Sequence, residues 1–175
     1  LNMLSYNEIS KALESDFFIV FGASFIQGWL IDFLIKRKAV NIHMGISPYY
    51  RGTSCNFWAI YDNNPSYVGS TIHLLSKGLD NGDILFHCIP LICNDDTPFD
   101  FTMRAVLAAQ KGLIEGLNDF FSLIKSPVKQ NKNDEIRYSR NRDFTEQKAF
   151  DFLSKDYKVN DFKINYPKLI KPKFF

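Results

Sequence analysis

An amide, an imidazole and a carboxylate are spaced along this chain so that one fold could bring them together. Asn41 and His43 lie two residues apart at the end of a short apolar segment, and Asp80 follows a second apolar segment, residues 68–75. An amide can donate a hydrogen bond to an oxygen on which negative charge develops, an imidazole can transfer a proton, and a carboxylate can orient that imidazole. Together these side chains could stabilise an oxyanion while a proton moves.

Each of the three residues also has a purely structural interpretation. Asn41 could cap the loop that follows it. His43 could be a packed and hydrogen-bonded core residue, and Asp80 directly before Asn81-Gly82 fits a hairpin turn. His73 and His87 lie inside strand patterns, and we interpret both as structural. Taken alone, the residue types leave the catalytic and the structural interpretations open.

A sheet must position these side chains. Residues 17–21 are a continuous apolar run, which predicts a strand buried on both faces. Helical spacing follows Ser24 and ends in the basic residues 36–38, and residues 39–42 predict the next strand. Such a strand–helix–strand unit forms a right-handed crossover in nearly all known cases. Polar side chains at the strand ends then lie where α/β folds collect functional residues.

The middle of the chain continues this pattern. Residues 49–52 predict a turn-rich loop, residues 54–61 a helix, and residues 68–75 and 83–89 two antiparallel strands joined by a tight turn at Asn81-Gly82. Thr97-Pro98 predicts the start of one long amphipathic helix that reaches Ile124. The expected fold class is α/β, a Rossmann-like, mainly parallel sheet flanked by helices.

The composition changes after Ser126-Pro127. We expect a domain over residues 1–126 and a linker with a C-terminal extension over residues 127–175, with a short helix over residues 145–153. The extension is too short for a core of its own. We therefore expect it to pack onto the body of the domain or onto a second subunit, which leaves a homodimer open.

The overall composition excludes several classes of protein. The 175 residues suit one globular domain, and the net charge of +2 without a long basic run argues against nucleic acid as a partner. No apolar run approaches the ~18 residues of a membrane span. The three cysteines lack metal-ligand spacing, which predicts a reduced, cytoplasmic protein. Zinc bound by His43, His73 and Asp80 would match a catalytic site, but no closely spaced ligand pair supports it, so we predict no metal.

Four motifs resemble the folate-dependent formyltransferases. They are Asn41-Ile-His43, the loop Ser47-Pro-Tyr-Tyr-Arg-Gly52, Gly69-Ser-Thr-Ile-His73 and Gly78-Leu-Asp-Asn-Gly82, within a resemblance that runs from about residue 16 to 125. That family includes enzymes that formylate methionyl-tRNA, glycinamide ribonucleotide and amino sugars. The resemblance implies 10-formyltetrahydrofolate as the formyl donor and a primary amine as the acceptor.

The resemblance also implies a role for each site residue. Asn41 would donate to the formyl oxygen, His43 would accept the proton of the attacking amine, and Asp80 would hold His43 or an ordered water. The folate pocket would be lined by two segments, and the loop after Pro48 would close over the substrate. The pocket residues are Gly22, Ala23, Ser24, Phe25, Gly78 and Leu79, and the loop residues are Tyr49, Tyr50, Arg51 and Gly52.

Two departures from the family accompany this resemblance. Met44-Gly45 replaces the Pro-Ser that usually follows the histidine, and the family's N-terminal strands would precede Asp16. Residues 138–143 and the helix after them resemble the linker of sugar-amine N-formyltransferases, which favours a nucleotide-linked amino sugar as the acceptor. Methionyl-tRNA and glycinamide ribonucleotide stay as alternatives, as do hydrolysis of the folate and a non-catalytic folate- or partner-binding module.

Overall fold

The computed structural model describes residues 1–155 and 157–175. The described chain forms seven strands and six α-helices. The strands are β1 (Ile19–Phe21), β2 (Val40–His43), β3 (Tyr50–Gly52), β4 (Ser70–Leu74), β5 (Ile84–Ile89), β6 (Arg137–Ser139) and β7 (Lys173–Phe174). The helices are α1 (Tyr6–Leu13), α2 (Gly28–Lys36), α3 (Cys55–Tyr61), α4 (Pro98–Leu117), α5 (Phe120–Leu123) and α6 (Glu146–Ser154).

Five strands form the main sheet, in the order β1-β2-β4-β5-β7. The outer pairs β1–β2 and β5–β7 are parallel, whereas β4 runs antiparallel to both of its neighbours. The predicted α/β class with helices against a sheet is confirmed, and the antiparallel arm is the β4–β5 pair in the centre of that sheet. In the β2–β4 register, Asn41 lies opposite His73 and His43 lies opposite Thr71.

Strand β1 differs from its prediction. We expected it to be buried on both faces, but Ile19 is 47% exposed and Phe21 is 45% exposed. Both side chains point to the same face because side chains alternate along a strand. β1 is an edge strand with a single neighbour, and this face of it is only partly covered. The apolar run was read correctly as a strand, but its burial was not.

Helix α4 packs its small and apolar residues onto the centre of the sheet. Phe101, Ala105 and Ala108 are buried, as the predicted periodicity required. Thr97 caps the helix, since its hydroxyl accepts from the Asp100 amide at 3.1 Å while the Asp100 carboxylate accepts from the Thr97 amide at 3.0 Å. The predicted single helix up to Ile124 is wrong, because α4 ends at Leu117 and α5 begins at Phe120. Asn and Asp at the junction favour turns over helix interiors.

Two loops also differ from their predictions. Tyr50–Gly52 is a strand, because it pairs in parallel with β6 and Tyr50 lies opposite Arg137. In the connection between β4 and β5, Asp80 takes the positive φ of 47°, not Asn81 or Gly82. The predicted tight turn at Asn81-Gly82 is therefore wrong, because residues 75–83 form a longer connection whose turn lies at residues 79–80.

Residues after 127 pack onto the rest of the chain. Val128 exchanges two backbone hydrogen bonds of 2.8 Å with Ile84, and β7 adds the last strand to the sheet. The Phe152 ring of α6 lies 4.9 Å from the ring of Phe57, and Val159 is 2% exposed in the same cluster. This segment shares its apolar contacts with the body of the fold. None of the helices in the described ranges is both long and apolar enough to cross a bilayer.

Candidate active site

Asn41, His43 and Asp80 meet on one side of β2. The Asn41 amide nitrogen donates to one carboxylate oxygen of Asp80 at 3.2 Å. The other carboxylate oxygen lies 3.4 Å from Nδ1 of His43. Asn41 and His43 face the same side because they are two residues apart on a strand. The loop between β4 and β5 brings Asp80 to them, so the three residues singled out in the sequence are in contact.

His73 is a fourth member of this cluster, although its sequence context predicted a structural role and grouped it with His43 and Asp80 only in the rejected zinc site. Its Nε2 lies 3.0 Å from the Asn41 amide nitrogen and 3.9 Å from an Asp80 carboxylate oxygen, and its side chain is 2% exposed. The register of β2 and β4 places it directly opposite Asn41. The only sequence signal was its position in the Gly69-Ser-Thr-Ile-His73 motif, whose histidine we interpreted as structural.

The hydrogen-bond partners assign the tautomers of both histidines. Nδ1 of His73 lies 2.8 Å from the carbonyl oxygen of Leu74, so it carries a hydrogen, and Nε2 accepts from Asn41. Both amide hydrogens of Asn41 are thus directed to partners, His73 and Asp80. Nε2 of His43 donates to the carbonyl oxygen of Tyr50 at 2.9 Å, which leaves Nδ1 facing the Asp80 carboxylate.

This environment charges both His43 and Asp80. Burial lowers the pKa of His43, but the neighbouring Cys55 sulfur and the Asp80 carboxylate raise it. Together these two groups outweigh burial, and the net pKa lies well above its ordinary value. Burial raises the pKa of Asp80, but the hydrogen bond and the charge of His43 oppose it, and the net pKa lies far below its usual range. At neutral pH the resting pair is an imidazolium facing a carboxylate. In this charged form His43 can donate a proton, and the prediction that it accepts the proton of the attacking amine requires its neutral form.

A narrow cleft opens beside the cluster, between the loop after β1 and the loop after β4. Its volume is about 70 Å³, below the 300–1,000 Å³ of typical ligand pockets, so a bound heteroaromatic ring would require it to widen. His43 lies behind Asp80 and does not line the cleft, and Gly22 precedes the lining segment. The lining residues are Val20, Ala23, Ser24, Phe25, Ile26, Asn41, His73, Leu75, Ser76, Gly78, Leu79 and Asp80. Five of the six residues predicted to line the folate pocket are among them.

The predicted substrate loop lies on the other side of His43, and none of its residues lines the cleft. Tyr50 is fully buried, and Gly52 packs against β6. Arg51 donates to the Glu135 carboxylate at 2.7 Å and to the Leu79 carbonyl oxygen at 2.9 Å. Acceptor binding by these residues stays a prediction, and an anion would have to displace Glu135 to reach Arg51.

The loop's first residue is tied down as well, because the Tyr49 hydroxyl donates to the Lys168 carbonyl oxygen at 3.1 Å. His87 is structural, as predicted. Its Nδ1 accepts from the Ile170 amide at 2.9 Å, so Nε2 donates to the Ser47 carbonyl oxygen at 3.0 Å. Burial lowers its pKa to about 4, which keeps the ring neutral. Across the described residues, no group of three acidic, histidine or cysteine side chains is arranged to hold a metal ion.

Known proteins share both the sequence and the fold of this chain. A family model described as formyl transferase matches residues 7–117. A methionyl-tRNA formyltransferase from Mesoplasma florum is 32% identical over 146 residues, which is 82% of this chain and 45% of the relative. A GDP-perosamine N-formyltransferase from Brucella melitensis is 30% identical over 118 residues, 61% of this chain and 45% of the relative. This chain spans less than half the length of these relatives.

The solved structures show the same fold. The formyltransferase PseJ from Anoxybacillus kamchatkensis, crystallised with UDP-4,6-dideoxy-4-formamido-L-AltNAc and tetrahydrofolate, has a TM-score of 0.64 at 24% identity over 84% of this chain and 76% of its own. A 4-N formyltransferase from Francisella tularensis has a TM-score of 0.61 at 18% identity over 98% of this chain and 71% of its own. Because the family model covers more than half of its residues, the chain belongs to the formyl transferase family, the folate-dependent family that its motifs resemble.

Proposed function

We propose that this protein transfers a formyl group from 10-formyltetrahydrofolate to a primary amine. The observation that carries this proposal is the contact of Asp80 with both Asn41 and His43, beside a cleft lined by the predicted folate segments. An amide donor, an imidazolium and a carboxylate within one hydrogen-bonded cluster form a preorganised environment for charge that develops on a carbonyl oxygen. The formyl donor supplies the electrophilic carbon.

The residues that line the cleft suit a flat heteroaromatic ligand with a polar end, once the cleft has widened to admit the ring. Phe25 and Leu79 lie at its mouth and are 47% and 39% exposed, so their apolar surfaces are free to contact a ring. Asn41, His73 and Asp80 form its polar wall. In this arrangement the two loops hold the ring, and Asn41 orients the formyl oxygen.

The cluster limits how protons move. To donate to a substrate oxygen, the Asn41 amide has to exchange its bond to His73 or to Asp80 for one to the substrate. His43 holds its Nδ1 proton next to Asp80 and can pass it through that carboxylate to the leaving folate nitrogen, and the proton that the amine loses on forming the amide restores the charged pair. The amine is therefore expected to react as the free base, or after losing its proton to a group other than the resting imidazolium. Binding both reactants side by side supplies much of the remaining acceleration.

We favour a nucleotide-linked amino sugar as the acceptor. Support comes from the GDP-perosamine N-formyltransferase among the relatives and from the sugar N-formyltransferases of similar fold. The arginines near the candidate site are paired internally, Arg137 with Asp62 at 2.7 Å and Arg51 with Glu135 at 2.7 Å, so they do not form a free basic surface for tRNA. Methionyl-tRNA and glycinamide ribonucleotide are the other acceptors to test, because relatives and similar structures of both kinds exist.

The direct test follows release of tetrahydrofolate from 10-formyltetrahydrofolate. The acceptors are nucleotide-linked amino sugars, glycinamide ribonucleotide and charged initiator tRNA, each compared with no acceptor. We expect release only with an amine, and a loss of about 10²–10⁴-fold in kcat for Asp80→Asn. Asp83→Asn, in the same loop but outside the cluster, is the matched control and should stay within about twofold.

Other results would assign another function. Release without any amine would identify a folate hydrolase. Folate binding without release, unaffected by Asn41→Ala, would identify a binding module. Equal losses of kcat in Asp80→Asn and Asp83→Asn would show that Asp80 has no specific role in the reaction.

A further inference from the structure

Residues 128–137, here called the strap, cross the loop that carries Asp80. At one end Val128 pairs with Ile84 of β5 through two backbone hydrogen bonds of 2.8 Å. At the other end, the amides of Ile136 and Arg137 donate to the Tyr49 carbonyl oxygen at 2.8 and 3.0 Å. Both ends of the strap are therefore fixed to the body of the fold, and the residues between them are held against the loop.

Gln130 of the strap holds the backbone on both sides of Asn81. Its amide nitrogen donates to the carbonyl oxygen of Asp80 at 2.9 Å and to that of Gly82 at 2.7 Å. Within the described chain its own Oε1 is buried and has no hydrogen-bond partner. Leaving a buried acceptor unpaired is unfavourable. Gln130 nevertheless keeps this orientation, because it allows the amide nitrogen to make both of its donor contacts.

A second strap residue acts on the same loop through Arg51. The Glu135 carboxylate accepts from Arg51 at 2.7 Å, and Arg51 donates to the Leu79 carbonyl oxygen at 2.9 Å. The carbonyl oxygens of Leu79, Asp80 and Gly82 are thus all bound by side chains from outside the loop. These contacts surround the one residue of the loop whose carboxylate faces His43.

Asp80 needs such support, because its backbone is in the left-handed region at φ 47°. That region is uncommon for residues other than glycine. Gly82 is equally constrained, since a Cβ there would lie 1.7 Å from the Leu74 carbonyl oxygen. A loop with this geometry keeps its shape only where the surrounding contacts determine it.

We propose that Gln130 is a positioning residue, which holds Asp80 against His43 by binding the carbonyl oxygens of Asp80 and Gly82. Its effect on catalysis rests on the proposed function, whereas its effect on the geometry of the Asp80–His43 pair does not. It acts through Asp80 and makes no contact with the cleft.

The test is Gln130→Met, which keeps the length of the side chain and removes both donors. The chain has three histidines, so their ring protons can be followed individually by NMR during a pH titration. The titratable groups that face His43 are Asp80 from the loop, His73 from β4, Cys55 from α3 and His87 from β5. Only Asp80 is bound by Gln130. We therefore expect the pKa of His43 to fall by about 1 unit as the carboxylate moves away, in the direction produced by Asp80→Asn.

Kinetics provide the second readout. If Asp80 is displaced by about an ångström, kcat should fall by about 10–100-fold with little change in KM. Gln147→Met is the matched control, since the exposed Gln147 donates to Asp151 of its own helix and should change neither quantity. His87, held by Ser47 and Ile170, is the internal reference in the NMR spectra.

The outcomes separate this inference from the proposed function. A wild-type protein without formyl transfer would refute the function, and the His43 titration would still test Gln130. An unchanged His43 pKa in a folded Gln130→Met protein would refute the positioning role, whatever the activity. If Gln130→Met does not fold, Gln130→Ala at low temperature serves the same titration, and an unchanged pKa there also overturns the proposal.

Discussion

His43 and Asp80 each hold the other in its charged form. Burial opposes both charges, but the carboxylate contributes to the raised pKa of His43, and His43 lowers the pKa of Asp80. A buried ion pair contributes to stability only through its geometry and its further hydrogen bonds. Here the additional partners are present, because Tyr50 accepts from His43 and Asn41 donates to Asp80.

The stabilisation by this pair depends on pH in a defined window. The raised pKa of His43 stabilises the fold fully below the unfolded value of about 6.5, and this stabilisation is lost as pH rises through the folded pKa. The lowered pKa of Asp80 stabilises the fold above the unfolded value of about 3.9, and this is lost as pH falls through its folded pKa. Asp80→Asn should therefore cost about 2 kcal/mol near pH 5.5 and distinctly less at pH 9.5. Urea unfolding at both pH values measures this, and a pH-independent cost would contradict the ion pair.

His87 has the opposite dependence. Its pKa is lowered to about 4 by burial, so the unfolded chain takes up a proton at a higher pH than the folded chain does. Stability should fall by about 2 kcal/mol between pH 7 and pH 4.5 because of this group alone. His87→Gln should reduce the loss between these two pH values by that amount, although the variant is less stable at pH 7. Equal losses in variant and wild type would show that His87 titrates normally in the folded protein.

At the scale of elements, the β3–β6 pair depends on a glycine. Gly52 has a φ of 90°, and a Cβ there would lie 1.9 Å from the Ser139 carbonyl oxygen of β6. This close approach joins two short strands that are far apart in the sequence. It also explains why residues 49–52 look like a turn when they are read locally.

A matched pair of variants tests this close approach. Gly22, like Gly52, has a positive φ, here 61°, but a Cβ added at Gly22 would have no atom within 4 Å. Gly22→Ala therefore changes the backbone preference without a steric clash. It should cost about 1–2 kcal/mol from the left-handed conformation alone. Gly52→Ala should cost more, by about 1–3 kcal/mol, because the strands must also separate. Chemical denaturation of both variants gives the difference, and equal costs would contradict the close packing of β3 on β6.

At the scale of the whole molecule, residues 127–175 complete the fold that holds the site. They supply β6 beside β3, β7 beside β5, the strap over the Asp80 loop and the buried Val159. We retain residues 1–126 and 127–175 as a proposed division into a catalytic domain and an extension. Because it supplies strands and buried residues to the domain, the extension is structurally part of that domain.

Removing residues 127–175 should therefore abolish cooperative unfolding. The deletion would expose the edge of β5 and the apolar cluster around Trp58, and an uncovered strand edge favours aggregation. Thermal melts followed by circular dichroism, with the full chain as the reference, measure the effect. A sharp transition at the midpoint of the full chain would show that residues 1–126 fold alone.

Much of the fold follows from local sequence patterns. Short apolar runs predicted four strands of the main sheet, and the Thr97 cap with its helical spacing predicted α4. The residues of the candidate site followed from motifs that resemble a family, since Asn41, His43 and Asp80 are the amide, imidazole and carboxylate of those motifs. Patterns of this kind depend on neighbours in the sequence, which is why a single chain reveals them.

The tertiary structure decided the remaining features, because they arise between residues that are distant in the sequence. His73 joins the site only through the register of β4 on β2, and Tyr50–Gly52 is a strand only because β6 lies beside it. The exposure of β1 depends on its place at the edge of the sheet. The protonation of His43 depends on burial and on Asp80 together, and neither can be read from the residues beside it. The sequence by itself determined which groups could do chemistry, and the packing of the chain decided their charges and their partners.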